Sequence, residues 1–89
     1  MSYVLAFTDR ALDDLRGLDI WLQEETMDEL DRLAETPPLP RRRHLGAVVH
    51  DIVRERNECR YYVFISLLPD AATNELRVIE LGFFISKQE

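Results

Sequence analysis

The residues of this chain best suited to chemistry are its arginines. They make up ten of the eleven basic side chains in 89 residues, and they are not spread evenly. Residues 41–60 hold six basic and three acidic side chains, against three and ten in residues 1–40 and two and four in residues 61–89. Arginine's planar fork makes paired hydrogen bonds to phosphate or carboxylate, so the middle segment is where a binding or catalytic function is expected. One group is Arg41, Arg42 and Arg43 followed by His44, which could grip a phosphate backbone or an acidic partner segment. The plainer reading is a solvated basic loop that balances the acidic helices. The other group, Arg54, Arg56 and Arg60, flanks a single hairpin. Charges this close repel unless something anionic compensates, either a bound anion or the neighbouring Asp51, Glu55 and Glu58.

Other reactive residue types are few. His44 and His50 are the only histidines, and neither a cysteine pair nor a His-x-x-x-His spacing is present, so no metal site is expected. His50 could serve as an acid–base group, although a strand histidine is more often a hydrogen-bonded sheet residue. Cys59 is the sole cysteine and can form no internal disulfide. A nucleophilic Cys59 would need His50 beside it. A turn over residues 55–58 would instead place Cys59 opposite Arg54, and Cys59 then reads as a small sheet residue. No motif points to a cofactor.

The elements that must position these residues follow from periodicity. Residues 3–7 read as a short strand rich in β-favouring types. Thr8 reads as a helix N-cap with Asp9 in the first turn. Ala11, Leu15, Leu18 and Leu22 share one helical face. Gly17 and Asp19 suggest a break, although Thr26-Met27-Asp28-Glu29 also fits a capping box and one bent helix could cover both. The preferred reading is a hairpin whose second helix carries Met27, Leu30 and Leu33 and runs to about Glu35. Pro37, Pro38 and Pro40 end it. Strands are then expected over 48–54, 59–68 and 76–83, with a turn at 55–58 centred on Asn57 and a loop at 69–74. In the long strand Tyr61, Val63, Ile65 and Leu67 point toward the helices, and Arg60, Tyr62, Phe64 and Ser66 point the other way. Trp21 reads either as a partner anchor or, more simply, as a residue closing the helix hairpin. Of Phe83 and Phe84, one is expected in the core and the other on the surface.

The expected fold class is therefore α+β: a short N-terminal strand, a two-helix hairpin, then a three-stranded antiparallel meander completing a four-stranded sheet. With 46% hydrophobic and 31% charged residues the chain suits one soluble domain over residues 1–89. It has neither a membrane span nor a signal peptide, so a cytoplasmic home is expected. The net charge of −6 repels nucleic acid at long range, but a local arginine cluster can still hold phosphate at contact.

This order of elements resembles the RelE/ParE superfamily of bacterial toxins, found in type II toxin–antitoxin and plasmid-stabilisation systems. Residues 7–15, Phe-Thr-Asp-Arg-Ala-Leu-Asp-Asp-Leu, are similar to the family's strand, capping residue and "A-x-x-D-L" helix start. Leu33 with Pro37 and Pro38 resembles its "L…P" close of the second helix. Arg54 through Glu58, Cys59, Arg60, Tyr61 and Tyr62 resembles its "R-x-G-D-Y-R" hairpin. Val78-Ile79-Glu80-Leu81-Gly82 looks like the strand leading into its "G-H/K-R" motif. The hairpin here lacks the family's turn glycine, and Phe83-Phe84 replaces the basic pair.

The resemblance implies a short antitoxin as partner, covering the groove between helices and sheet with a helix or strand. It also implies a target in the ribosome and its mRNA or in DNA gyrase. Arg54 and Arg60 match family functional positions, with Arg41, Arg42, Arg43 and Arg56 as further binding candidates. Ribosome-dependent mRNA cleavage needs cations for the phosphate and a group to activate the ribose 2′-OH. The sequence supplies the first and no evident second. That leaves three classes: an mRNA endonuclease, a topoisomerase inhibitor, and a binding module that kept the fold without the chemistry. A homodimer is a further expectation.

Overall fold

Alternation along the strands decides the architecture. The computed structural model describes residues 3–36, 43–44 and 47–87. They form β1 (Val4–Phe7), α1 (Asp9–Arg16), α2 (Ile20–Glu35), β2 (Arg43–His44), β3 (Ala47–Arg56), β4 (Cys59–Asp70) and β5 (Glu75–Lys87). The sheet order is β1-β5-β4-β3-β2. Strands β3, β4 and β5 make the expected antiparallel meander. β1 joins its edge parallel to β5, with Val4 opposite Glu75 and Phe7 opposite Val78.

Val63, Ile65 and Leu67 of β4 are fully buried, and with Ile52, Leu76 and Val78 they meet Ala11, Leu18, Leu22, Leu30 and Leu33 of the helical segment. This is the core, and it lies on one face of the sheet only. The opposite face carries Val53, Phe64 and Phe84, all exposed. The two-faced reading of β4 is thus correct.

Thr8 caps α1 as expected. Its Oγ1 accepts the Ala11 N–H at 3.0 Å, and its hydroxyl donates to the Ile79 carbonyl, tying the helix start to β5. The break falls at residues 17–19. Asp19 occupies the N-cap of α2, but its side chain makes no capping bond. Instead its carbonyl accepts from Leu22 and Gln23 N–H, while Gln23 Nε2 donates to the Leu18 carbonyl at 2.7 Å.

Four expectations need correction. Arg43 and His44 were expected in a loop, yet they pair with Val48 and Ala47 as a two-residue fifth strand at the sheet edge. Arg41 and Arg42 lie outside the described residues. The hairpin turn is also shorter than expected: Arg56 pairs with Cys59, leaving only Asn57 and Glu58 between them. Both have positive φ, 52° and 64°, the paired left-handed geometry that matches strand twist in two-residue hairpins. Cys59 therefore faces Arg56, and Arg54 faces Tyr61.

The third correction concerns β5, which continues through Lys87 with a bulge at Ile79, where Ser66 pairs with Glu80 and Leu67 with Val78. Neither Phe83 (44% exposed) nor Phe84 (57%) enters the core. Fourth, Trp21 closes α2 onto the sheet, a contact that the hairpin reading did not include. It meets Tyr61 edge-to-face at 4.9 Å between ring centroids.

Candidate functional site

Because side chains alternate, the hairpin arginines divide between the two faces of the sheet. Paired residues on neighbouring antiparallel strands share a face. Arg54 opposite Tyr61 and Arg56 opposite Cys59 belong to the helix-covered side, whereas Arg60 opposite Glu55 belongs to the open side. Arg54 and Arg60 consequently cannot act on one phosphate together.

On the helix-covered side α2 and β3 meet through a row of paired groups. Trp21, Glu25 and Glu29 recur every four residues and so line one helix face. Glu29 Oε2 lies 3.0 Å from His50 Nε2, and the other Glu29 oxygen accepts from Arg32. Glu29 is nearly buried. Burial by itself raises its carboxyl pKa, but the His50 hydrogen bond and the Arg32 charge outweigh it and hold the group below the ordinary 4.5. Next along, Arg54 Nε sits 3.8 Å from Glu25 Oε2. Arg56 then lies over the Trp21 ring at 4.8 Å. Between them opens a cleft of about 400 Å³ lined by Trp21, Glu24, Glu25 and Asp28 from α2 and Arg54, Glu55 and Arg56 from β3. Both arginines in this cleft already have partners, so its chemistry is that of a helix-to-sheet clasp.

The open side differs. Arg60 Nε and Nη2 both bond to Glu55 Oε1, at 3.0 and 2.6 Å. The Glu55 hydrogen bond, then that of Tyr62, hold the Arg60 guanidinium above the usual arginine value, so it is always cationic. Beside it Tyr62 lies parallel to Phe64 at 6.4 Å and tilted against Phe84 at 5.8 Å. A cation, a carboxylate and an aromatic shelf therefore stand together on an uncovered surface. Such a surface can stack an unpaired base and hold the adjoining phosphate. Glu55, read from sequence only as charge compensation, is the group that reasoning undervalued. The signal was its place opposite Arg60 across a two-residue turn.

His50 is remote from Cys59. It pairs with Ile65, six β4 residues from Cys59, or about 20 Å at strand rise. The nucleophile–base reading of this pair is excluded. Among the described residues no three His, Cys, Asp or Glu side chains gather as a metal site, and no helix is long and apolar enough to cross a membrane.

No protein-family model matches the sequence, and no curated protein matches it. Solved structures do. The chain is similar to one in the intact E. coli RelBE toxin–antitoxin complex, at 22% identity over 99% of both chains with a TM-score of 0.67. It is similar to an E. coli RelE mutant bound to an antitoxin RelBc peptide, at 23% identity over all of this chain and 86% of that one, TM-score 0.67. A chain of the toxin–antitoxin complex RelBE2 from Mycobacterium tuberculosis matches at 19% identity over 94% of this chain and all of that one, TM-score 0.64. What is shared at these identities is the fold. The two-helix, mixed-sheet architecture resembled in the sequence is the fold of the RelE toxins, and the described residues of this chain adopt it.

Proposed function

We propose that this chain is the toxin half of a toxin–antitoxin pair, held by a short antitoxin and acting when free through the open face of its sheet. The observation that carries the reading is the near full-length match to chains from three toxin–antitoxin structures, each of which includes an antitoxin or an antitoxin peptide. Arg60 is the phosphate-binding or acid-binding group, and Tyr62, Phe64 and Phe84 form the adjoining contact surface. If the target is mRNA on the ribosome, Glu55 is the carboxylate placed to take the 2′-OH proton beside the Arg60 cation. If the target is a topoisomerase, the same surface binds without chemistry. Arg54 and Arg56 serve the clasp between α2 and the sheet.

A second reading has its own support. Arg60 is already paired with Glu55 and Tyr62, and Arg54 with Glu25, which suits a binding module that keeps the fold without toxicity. Inducing the chain alone in bacteria separates these readings. Growth arrest with cleaved mRNA assigns the nuclease branch, and arrest with DNA damage and intact mRNA assigns the topoisomerase branch. Unimpaired growth assigns the binding module and overturns the toxin reading.

A further inference from the structure

Among the described residues, the outer edge of β5 is occupied only along its first half. β1 covers residues 75–78, Thr8 N–H donates to the Val78 carbonyl, and the Leu81 N–H is taken by Asp14 Oδ2 at 3.1 Å. Beyond Leu81, among the described residues, β4 is the only strand beside β5. Successive residues of a strand turn their N–H and C=O to alternate sides. Since Leu81 N–H points outward, so do the backbone groups of Phe83, Ile85 and Lys87. The flanking side chains are large and apolar: Phe83, Phe84 and Ile85 are 44, 57 and 45% exposed. A long, flat, oily edge is a template for another strand, and proteins normally blunt it with charge, proline or a cover. Residues 82–86 carry neither charge nor proline, and among the described residues no strand covers this edge.

We infer that this edge is a homodimer interface in which β5 of one copy pairs antiparallel with β5 of a second across a two-fold axis at Phe84. The register follows from the residues. Hydrogen-bonded pairs must join outward-facing positions, so Phe83 meets Ile85 of the second copy and Ile85 meets its Phe83, giving about four backbone hydrogen bonds. Phe84 meets Phe84 on the open face, extending the shelf already formed with Tyr62. Lys87 reaches Leu81 of the second copy, where Asp14 and Glu80 stand on the edge. Shifting the axis to Ile85 would set Phe83 against Lys87 and Phe84 against Ser86. Shifting it to Phe83 would set Phe84 against Gly82 and Ser86 against Glu80. The Phe84 register alone matches apolar to apolar and basic to acidic. A contact of seven strand residues per copy is smaller than the ~800 Å² per partner of a standard interface, so the dimer forms with rising concentration rather than permanently.

The test is sedimentation equilibrium of the full chain across a concentration series, with a cysteine scan in a Cys59→Ser background. Residues facing each other at a non-hydrogen-bonded antiparallel pair have Cα atoms about 4.5 Å apart, within disulfide reach. Phe84→Cys is therefore expected to cross-link to dimer under mild oxidation, while Phe83→Cys alone is not. Phe84→Lys sets two like charges face to face and is expected to leave a folded monomer, checked by unchanged far-UV circular dichroism. A wild-type chain that stays monomeric throughout, or a dimer that survives Phe84→Lys, overturns the proposal. So does a dimer that cross-links equally well from position 83. The functional reading above shares only Phe84 with this interface, and a monomeric result leaves its Arg60, Tyr62 and Phe64 surface standing.

Discussion

The two faces of one sheet come from the same alternating strands, yet they treat their charged groups in opposite ways. Under the helices each polar side chain on β3 meets a side chain from α2: His50 with Glu29, Arg54 with Glu25, and Arg56 with the Trp21 ring. On the open face the Arg60–Glu55 pair is local to one hairpin, and its neighbours are exposed or half-exposed rings on which none of the described helices packs. The first arrangement links distant parts of the chain and so contributes to holding the fold. The second links residues five apart, adds little to stability, and leaves its aromatic surface available to a partner. Arginine clustering in the sequence therefore joined two different jobs. A single-residue step along a strand is enough to separate them.

Substitutions can break or sharpen this contrast. The largest effect is expected where α2 meets the sheet: Leu30→Ala should cost about 2–5 kcal/mol in urea unfolding, because Leu30 is fully buried. Phe64→Ala, a larger truncation on the open face, should cost about 1 kcal/mol or less. Equal losses would mean that the open face is also core.

Glu29→Ala should cost about 1–3 kcal/mol by leaving His50 and Arg32 unpartnered. The Glu29 carboxyl is held below its ordinary value of 4.5. Its stabilisation is thus complete above that value and lost as pH falls through the lower, folded-state value. Wild-type protein should therefore lose stability faster than Glu29→Gln as the pH drops below about 4.5, and parallel acid limbs in the two pH–stability curves would contradict this.

Smaller again is Arg56→Ala, expected to cost roughly 0.5–1 kcal/mol through the cation–ring contact. It should also shift the emission of Trp21, the only tryptophan. Smallest is a gain: Glu58→Gly relieves a non-glycine residue at φ 64° and should stabilise by a few tenths to about 1 kcal/mol, the left-handed penalty being partly offset by glycine's freedom in the unfolded chain. A loss of stability there would argue that Glu58 makes a contact that matters more than its backbone.

Much of this was legible in the residues. The Thr8 cap, the break near Gly17, the inward row Val63, Ile65 and Leu67 and the meander all follow from side-chain period and local turn chemistry. What escaped were features set by pairing across the sheet. With no glycine in residues 55–58, the turn looked four residues long, but Asn57 and Glu58 adopt left-handed geometry and let β3 and β4 run two residues further toward each other. That shift moved Cys59 from Arg54 to Arg56. Likewise Arg43 and His44 carry no strand signal of their own and gain a strand only from β3 beside them. β5 was expected to stop at Phe83, past the last buried residue, Leu81. Its ladder with β4 continues to Lys87. The row of Trp21, Glu25 and Glu29 was available in the sequence as a four-residue spacing, but nothing local says that β3 is what it faces.

The central claim is that function sits on the uncovered face and that the arginines beneath the helices serve structure. Growth on induction of the chain alone, compared between Arg60→Ala and Arg54→Ala, tests this most directly, with unfolding midpoints of both purified proteins measured alongside. The account predicts that Arg60→Ala keeps the midpoint and abolishes growth arrest, while Arg54→Ala still arrests growth. Undiminished arrest by a folded Arg60→Ala protein, or arrest lost in a fully stable Arg54→Ala protein, would contradict it.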